Sequence, residues 1–286
     1  MTATTASTTR ATRPGSAPRL PGTLRLGLER ARYEVRGFFR ERDAIVFIFA
    51  YPIIMLAIFA TVFGQDGAEV ADGVPFAQYF LPGMVATGVL LSSFQSLAIS
   101  IPVERDEGGL KRLGGTPLPA AAYFLGKVGQ VLVVSVVQVA LLLVVAATLF
   151  DVAMPGTAAL WGTFAWVFVL GVATGAVCGV GFSSLPRSGR SASAVVTPVV
   201  LVLQFISGVF FTFYDLPTWM QQVASVFPLK WMAQGMRSVF LPEEAAALEP
   251  SGSWQHGATA AVLLAWLVVG LVVGVRTFRW RRRDDG

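Results

Sequence analysis

The stretch "AIVFIFAYPIIMLAIFATVF", from Ala44 to Phe63, contains no charged residue. At a rise of about 1.5 Å per residue, a helix of this length extends about 30 Å, which is the thickness of the hydrocarbon core of a bilayer. A helix that is apolar on every side must be buried in a protein or in a membrane. The stretch therefore predicts a transmembrane helix.

Five more apolar stretches of spanning length follow in a chain of 286 residues that is 54% hydrophobic, with a mean hydropathy of +0.64. They are Gln78–Pro102, Ala122–Phe150, Ala158–Leu185, Ala194–Phe213 and Ala258–Thr277. None alternates between apolar and polar residues as a membrane strand would. We predict an all-α integral membrane protein, with six transmembrane helices in a single domain over residues 44–278.

The basic residues are confined to alternate connections between these spans. Segments before the first span, between spans two and three, between spans four and five, and after the last hold 20 of the 22 Lys and Arg. By the positive-inside rule both termini are cytoplasmic, and the charge reports topology rather than a nucleic-acid partner. Nineteen Arg against three Lys, with much Ala, Val and Gly, is typical of a GC-rich bacterial genome. We expect a multi-pass protein of a bacterial plasma membrane.

Both ends of the chain differ from the apolar spans. Residues 1–21 lack an apolar core and predict a disordered cytoplasmic tail, and residues 279–286 predict a basic cytoplasmic tail. Residues 22–43 predict an amphipathic interfacial helix, with Phe38 and Phe39 on its apolar stripe and Arg32 and Arg36 reaching lipid phosphates. This helix either anchors the first span or takes part in coupling to a partner.

Two other segments carry packing signals. Gly171, Gly175 and Gly179 form one small face of the fourth span, which favours close packing inside one subunit over a dimer seam. Residues 215–257 predict two short helices on the outer side, broken at Pro228, that lie at or re-enter the outer leaflet. Trp219 and Trp231 are predicted to seek the membrane interface.

Residues for catalysis are missing from the predicted spans. Their interiors contain no Asp, Glu or His, which excludes an ordinary proton relay. Gly109, Gly114 and Thr116 imitate the spacing of a phosphate-binding loop, but Gly115 occupies the place of its lysine. We expect no catalytic residue, no metal site and no cofactor bound by this chain.

Neutral polar residues are the remaining candidates inside the spans. Gln95, Gln138 and Gln204, with Phe205, are predicted either to line a cavity or, for the glutamines, to bond neighbouring helices together. A cavity of Phe, Val, Met and Gln would suit an amphipathic drug or lipid better than a sugar polymer.

The most charged connection reads "ERDEGGLKRLGGTPLP", from Glu104 to Pro119. Acidic residues precede basic ones, an order that stabilises a helix through its dipole and through pairs at i,i+4. We predict one helix of about three turns over Val103–Leu113, which ends at Gly114 and Gly115.

The longer stretch "ERDEGGLKRLGGTPLPAAAYFLGK", from Glu104 to Lys127, resembles the motif of ABC type-2 export permeases, a group that includes permeases of the daunorubicin-resistance type. The resemblance implies that residues 103–116 form a coupling helix that docks into a separate ATPase, present in two copies, which binds ATP and Mg²⁺. It implies a homodimer or heterodimer of permeases. The docking contacts would be Glu104, Arg105, Asp106, Glu107, Leu110, Lys111 and Arg112.

The resulting hypothesis is a subunit that exports an amphipathic drug, an antibiotic or a lipid-like molecule. The alternatives are a membrane scaffold that transports nothing, and a permease for polysaccharides or lipid-linked glycans. A membrane enzyme acting on lipid is disfavoured by the missing acids and histidines.

Overall fold

The structure, a computed structural model, describes residues 22–64, 69–71 and 73–277. The two predicted tails, 1–21 and 279–286, lie outside the described residues. Among the described residues six helices are long and apolar enough to cross a membrane, so the predicted all-α membrane fold with six spans is confirmed. They are α2 (Arg42–Phe63), α3 (Phe76–Leu90) continued by α4 (Ser96–Asp106), α6 (Ala120–Leu149), α7 (Ala158–Phe182), α8 (Gly189–Ile206) and α11 (His256–Thr277).

Shorter elements connect these spans. They are the helices α1 (Thr23–Phe38), α5 (Gly109–Gly114), α9 (Thr218–Val226) and α10 (Pro228–Phe240), with 3₁₀ turns at Phe213–Asp215 and Glu243–Leu248. A small antiparallel hairpin of β1 (Glu69–Ala71) and β2 (Val74–Pro75) precedes α3.

The second span is the centre of the bundle. Every residue from Tyr79 to Phe94 is buried, and α3 contacts α2, α6, α7 and α10. A π-helical turn over Leu91–Gln95 joins α3 to α4. At this turn the Ser92 hydroxyl lies 2.7 Å from the Ser135 hydroxyl of α6, so the irregular turn is bonded to a neighbouring span.

The glycine face of α7 packs against two neighbours in the same chain. A Cβ at Gly171 would lie 3.1 Å from Met232 of α10, and one at Gly179 would lie 2.7 Å from the carbonyl oxygen of Phe94; at Gly175 it would overlap Ser93. Only residues without side chains allow α7 to approach the second span this closely.

The helix α1 packs along the beginning of α6. Gly27 contacts Leu125, and Gly126 contacts Arg30. The buried positions of α1 are Gly27, Glu34 and Phe38, while Leu24 and Leu28 are exposed. Small residues and one ion pair, rather than leucines, therefore face the bundle, and the interfacial position of α1 stays a prediction.

Pro228 separates α9 from α10 as predicted, since proline is well placed at the first turn of a helix. Every residue of α10 from Leu229 to Phe240 is buried among α3, α7 and α11. Trp219 is exposed, but Trp231 is buried and its Nε1 donates to the Ser225 carbonyl at 2.8 Å. The ring of Trp231 belongs to the packed side of α10, and its position at the membrane interface stays a prediction. Re-entry of this segment into the membrane stays a prediction.

Buried polar side chains on α10 are bonded to the loops around it. The Arg237 Nη1 donates to Glu249 Oε1 at 2.8 Å, both side chains being 2% exposed. Arg237 also bonds the carbonyl of Gly208, and its guanidinium lies 5.2 Å from the centroid of the Tyr79 ring. Gly208 has a φ of +68°, which glycine adopts without strain. Arg237 thus joins α10, α3 and the turn that follows α8.

Lys230, also on α10, predicts a stability that depends on pH. Burial lowers its pKa from 10.5 to about 8, Glu249 opposes this shift, and Arg237 adds to it. Because the unfolded chain then holds this proton more tightly than the folded chain, the free energy of unfolding should rise as the pH increases between about 8 and 10.5. From about pH 8 to pH 9.5 we expect a gain of about 1–2 kcal/mol.

Thermal unfolding of the purified protein in detergent across this pH range tests the prediction. Lys230→Met should flatten the rise in melting temperature. An equal pH dependence in the native protein and in Lys230→Met would assign the effect to another group.

Candidate functional site

The second span ends in a turn rather than in the continuous helix predicted over Val103–Leu113. The helix α4 ends at Asp106, and Gly108 adopts a φ of +75° before α5 begins at Gly109. A left-handed residue cannot lie inside an α-helix, and glycine takes that conformation at little cost. The prediction of one helix is wrong, because the glycine pair outweighs the favourable order of charges.

Glu104, in the last turn of α4, faces the interior of the bundle. It forms an ion pair with Lys127 of α6, and its Oε2 accepts a hydrogen bond from the Tyr123 hydroxyl at 3.0 Å. Lys127 is 1% exposed and lies 2.9 Å from Glu34 Oε2 of α1. Glu34 in turn pairs with Arg30 one helical turn earlier. We call Arg30, Glu34, Glu104 and Lys127 the ion cluster.

The ion cluster compensates charges that would be costly alone. A lysine buried in an apolar helix loses its hydration, and only close opposite charges with hydrogen bonds offset that loss. Lys127 has a carboxylate on each of two other helices. The cluster therefore joins α1, α4 and α6 at one end of the bundle.

Arg105 and Asp106 reach two further helices. Arg105 Nη2 donates to the Ser183 carbonyl, at the carboxyl end of α7, at 3.2 Å. Asp106 Oδ2 accepts from the Gly189 N–H, at the start of α8, at 2.6 Å. The helix dipole favours a positive charge such as Arg105 at the carboxyl end of α7. It favours a negative charge such as Asp106 at the amino end of α8.

Three consecutive residues, Glu104, Arg105 and Asp106, thus bind three different neighbours of the second span. We call them the triple clamp. The side chains of Glu104 and Arg105 are both bonded inside the chain, and their part in docking a partner stays a prediction. Leu110 is fully buried and holds α5 to the bundle.

The remaining predicted docking residues lie on the surface. Glu107, Lys111 and Arg112 are exposed, and Asp106 is exposed although bonded. On α1, Arg32, Arg36 and Phe39 are exposed. Phe38 is buried against Phe49, with ring centroids 6.4 Å apart, and the interfacial position of these residues stays a prediction.

A cavity of about 700 Å³ lies behind the ion cluster, between α1, α2, α4, α5 and α6. Gln95 lines it, but Gln138, Gln204 and Phe205 do not. Gln204 Oε1 instead accepts from the Tyr51 hydroxyl at 2.9 Å, and Gln138 is buried against Gly88. Phe205 is exposed on α8. The four residues proposed for one cavity are therefore divided among four environments.

Comparison with known proteins agrees with the resemblance of Glu104–Lys127 to the motif of ABC type-2 export permeases. The family model for ABC-2 type transporters matches residues 31–241. The chain belongs to the ABC-2 type transporter family. The matched residues include the whole triple clamp, the ion cluster apart from Arg30, and α10.

Curated relatives of this ABC-2 chain include transport permeases of the bacterial inner membrane. The chain is 26% identical over 197 residues to the inner membrane transport permease YadH of Escherichia coli strain K12, an alignment that covers 66% of this chain and 74% of the relative. The protein of the same name in Shigella flexneri matches to the same extent. With its six apolar helices, this ABC-2 chain is a multi-pass membrane protein of a transporter family.

Sequence reasoning did not single out Arg30, Glu34 and Tyr123 of the ABC-2 chain as site residues. One signal was present, because a lone lysine in the first turns of an apolar helix requires a nearby carboxylate. Lys127 therefore predicts an acidic partner, but its position in the chain does not say which acid that is.

Proposed function

We propose that this chain is the membrane-spanning subunit of an ATP-driven exporter, paired with a second permease and with two copies of a separate ATPase. The ATPase binds ATP and Mg²⁺ and contacts residues 103–116 at the cytoplasmic end, with α1 beside it. The cargo is an amphipathic drug, antibiotic or lipid-like molecule. Membership of the ABC-2 family and likeness to a protein named a transport permease support this proposal.

The observation that carries the proposal is the division of residues 103–116 into two parts. The triple clamp binds the ends of α6, α7 and α8 inside the chain, whereas Glu107, Lys111 and Arg112 point outward. A force applied to the exposed residues would be transmitted through the triple clamp to α6, α7 and α8. It would be transmitted to α1 through the ion pair of Lys127 with Glu34. This is the arrangement needed by a subunit that receives mechanical work from a partner.

The composition of the spans supports an external source of energy. A carrier driven by protons needs a carboxylate that loads and unloads inside the membrane. The interiors of the predicted spans contain no Asp or Glu. In the proposed function this chain provides the pathway, and ATP hydrolysis in the partner provides the free energy.

Glu107→Ala combined with Lys111→Ala tests the docking surface. We expect the double variant to reach the membrane in normal amount and to keep its melting temperature, because both side chains are exposed. Co-purification of the ATPase from native membranes should fall at least about fivefold, since the loss of two interfacial charges costs about 1–3 kcal/mol. The measurement is the ATPase activity recovered with the tagged chain, normalised to the amount of chain.

Asp215→Ala combined with Glu244→Ala is the matched control. It removes two exposed charges beyond the opposite end of α8, where the proposed partner does not reach. Full recovery of ATPase with the control but not with the docking variant supports the proposal. Equal recovery with both variants, or no ATPase with the native chain in mild detergent, contradicts it.

A further inference from the structure

The cavity behind the ion cluster has the size and the mixed lining of a ligand site. Its volume of about 700 Å³ lies within the range of about 300–1,000 Å³ that small-molecule sites occupy. It lies between α1, α2, α4, α5 and α6. Its apolar lining includes Phe38, Phe47, Ile48, Leu91 and Ile99.

The polar part of the lining includes the side-chain carboxamides of Gln130 and Gln95. Gln130 is 7% exposed, and its Oε1 has no hydrogen-bond partner among the residues that the structure describes. The buried Oε1 of Gln95 is likewise without a partner in the described part of the chain. A buried acceptor that is left unpaired costs about 1–3 kcal/mol, so both positions favour an occupant that donates hydrogen bonds.

The charges around the cavity favour a cation. The described lining contains four carboxylates and three basic groups. Arg30 pairs with Glu34 and Lys127 pairs with Glu104, so these four cancel. The remaining groups are Glu41, Glu107 and Arg112, all exposed at the rim, and they leave an excess of one negative charge.

We propose that this cavity binds an amphiphile whose headgroup carries an ammonium group. The ammonium donates to Gln130 and Gln95 while the rim carboxylates neutralise it, and the apolar chain lies along Phe47 and Ile48. Two sources have this chemistry: an aminophospholipid of the surrounding membrane, and a free amphiphilic amine. Only for the second source does the inference rest on the proposed function, because that amine would be the exported cargo.

A cysteine inside the cavity gives a local measure of binding. Ser96 lines the cavity and is partly exposed, so Ser96→Cys in a Cys178→Ala background carries a single thiol there. The full chain is placed in phosphatidylcholine nanodiscs without nucleotide or ATPase, and alkylation by a water-soluble maleimide is timed. Dodecylamine should slow the reaction in a saturable way, while dodecanol and dodecanoate, with the same chain length, should protect at least about tenfold less well.

Two further substitutions are made in the same background. Gln130→Leu should weaken protection by dodecylamine about tenfold, through the loss of one hydrogen bond to a charged group. Gly37→Phe should abolish protection, since Gly37 lines the cavity and no described heavy atom lies within 4 Å of a Cβ placed there. Because Gln130→Leu adds no bulk, it keeps the test decisive even where Gly37→Phe fails to fold.

The chain offers a control for each change. Gln138→Leu makes the same replacement two turns further along α6, outside the cavity, and Gly162→Phe adds the same ring at an equally open glycine on α7. Both should leave protection unchanged. Equal protection by dodecanoate or dodecanol, or protection that survives Gln130→Leu, would overturn the inference.

The lipid of the nanodisc distinguishes the two sources. If phosphatidylethanolamine in place of phosphatidylcholine prevents protection by dodecylamine, the site takes the aminophospholipid. If protection is equal in both lipids, the site takes the free amine. Since the assay contains no ATPase, a negative result here leaves the exporter proposal intact, and loss of ATPase capture leaves this binding result intact.

Discussion

Arg237→Met should lower the free energy of unfolding by about 3–5 kcal/mol, because it leaves the Glu249 carboxylate buried without its counter-ion. Both side chains are 2% exposed, so water cannot replace the lost partner. The variant also removes the bond to the Gly208 carbonyl and the contact with the Tyr79 ring. Thermal unfolding in detergent should show a fall in melting temperature and reduced recovery of folded protein.

A double variant separates the buried charge from simple loss of packing. In Arg237→Met with Glu249→Gln neither residue is charged, and replacement of a whole buried ion pair is often close to neutral. We expect it to recover more than half of the stability that Arg237→Met loses. A double variant as unstable as the single one would show that the bond to Gly208, rather than the ion pair, stabilises this region.

Lys127→Met should lower the free energy of unfolding by about 3 kcal/mol. This loss of stability is at the low end of the range for breaking a buried ion pair, because 26% of the Glu104 side chain is exposed and water can partly solvate its charge. The loss would leave two carboxylates, Glu34 and Glu104, facing each other without the cation between them. The measurement is again the melting temperature of the purified chain.

Combining Lys127→Met with Glu104→Gln tests this explanation. Glu34 keeps its partner Arg30 in the combined variant, so no charge is left unpaired in the ion cluster. We expect stability to recover, and coupling to the ATPase to remain impaired because α4 is no longer held to α1 and α6. Recovery of both would show that the ion cluster only stabilises the fold.

The six spans were predictable because each depends on its own residues. An uncharged run such as Ala44–Phe63 can satisfy its backbone only as a helix, whatever its neighbours are. The break at Pro228 was predictable for the same local reason. The turn at Gly108 was not predicted, since the pattern of charges around it favours one continuous helix.

The sequence by itself determined the class of the protein, the number of spans and the motif that marks the family. Only the tertiary structure decided which way each charge of that motif points. Glu104 lies 23 residues from Lys127, and Lys127 lies 93 residues from Glu34, so their pairing depends on which helix ends meet. The helix α1 meets the start of α6 because Gly27 packs against Leu125 and Gly126 packs against Arg30. These contacts join distant segments, and no local pattern encodes them.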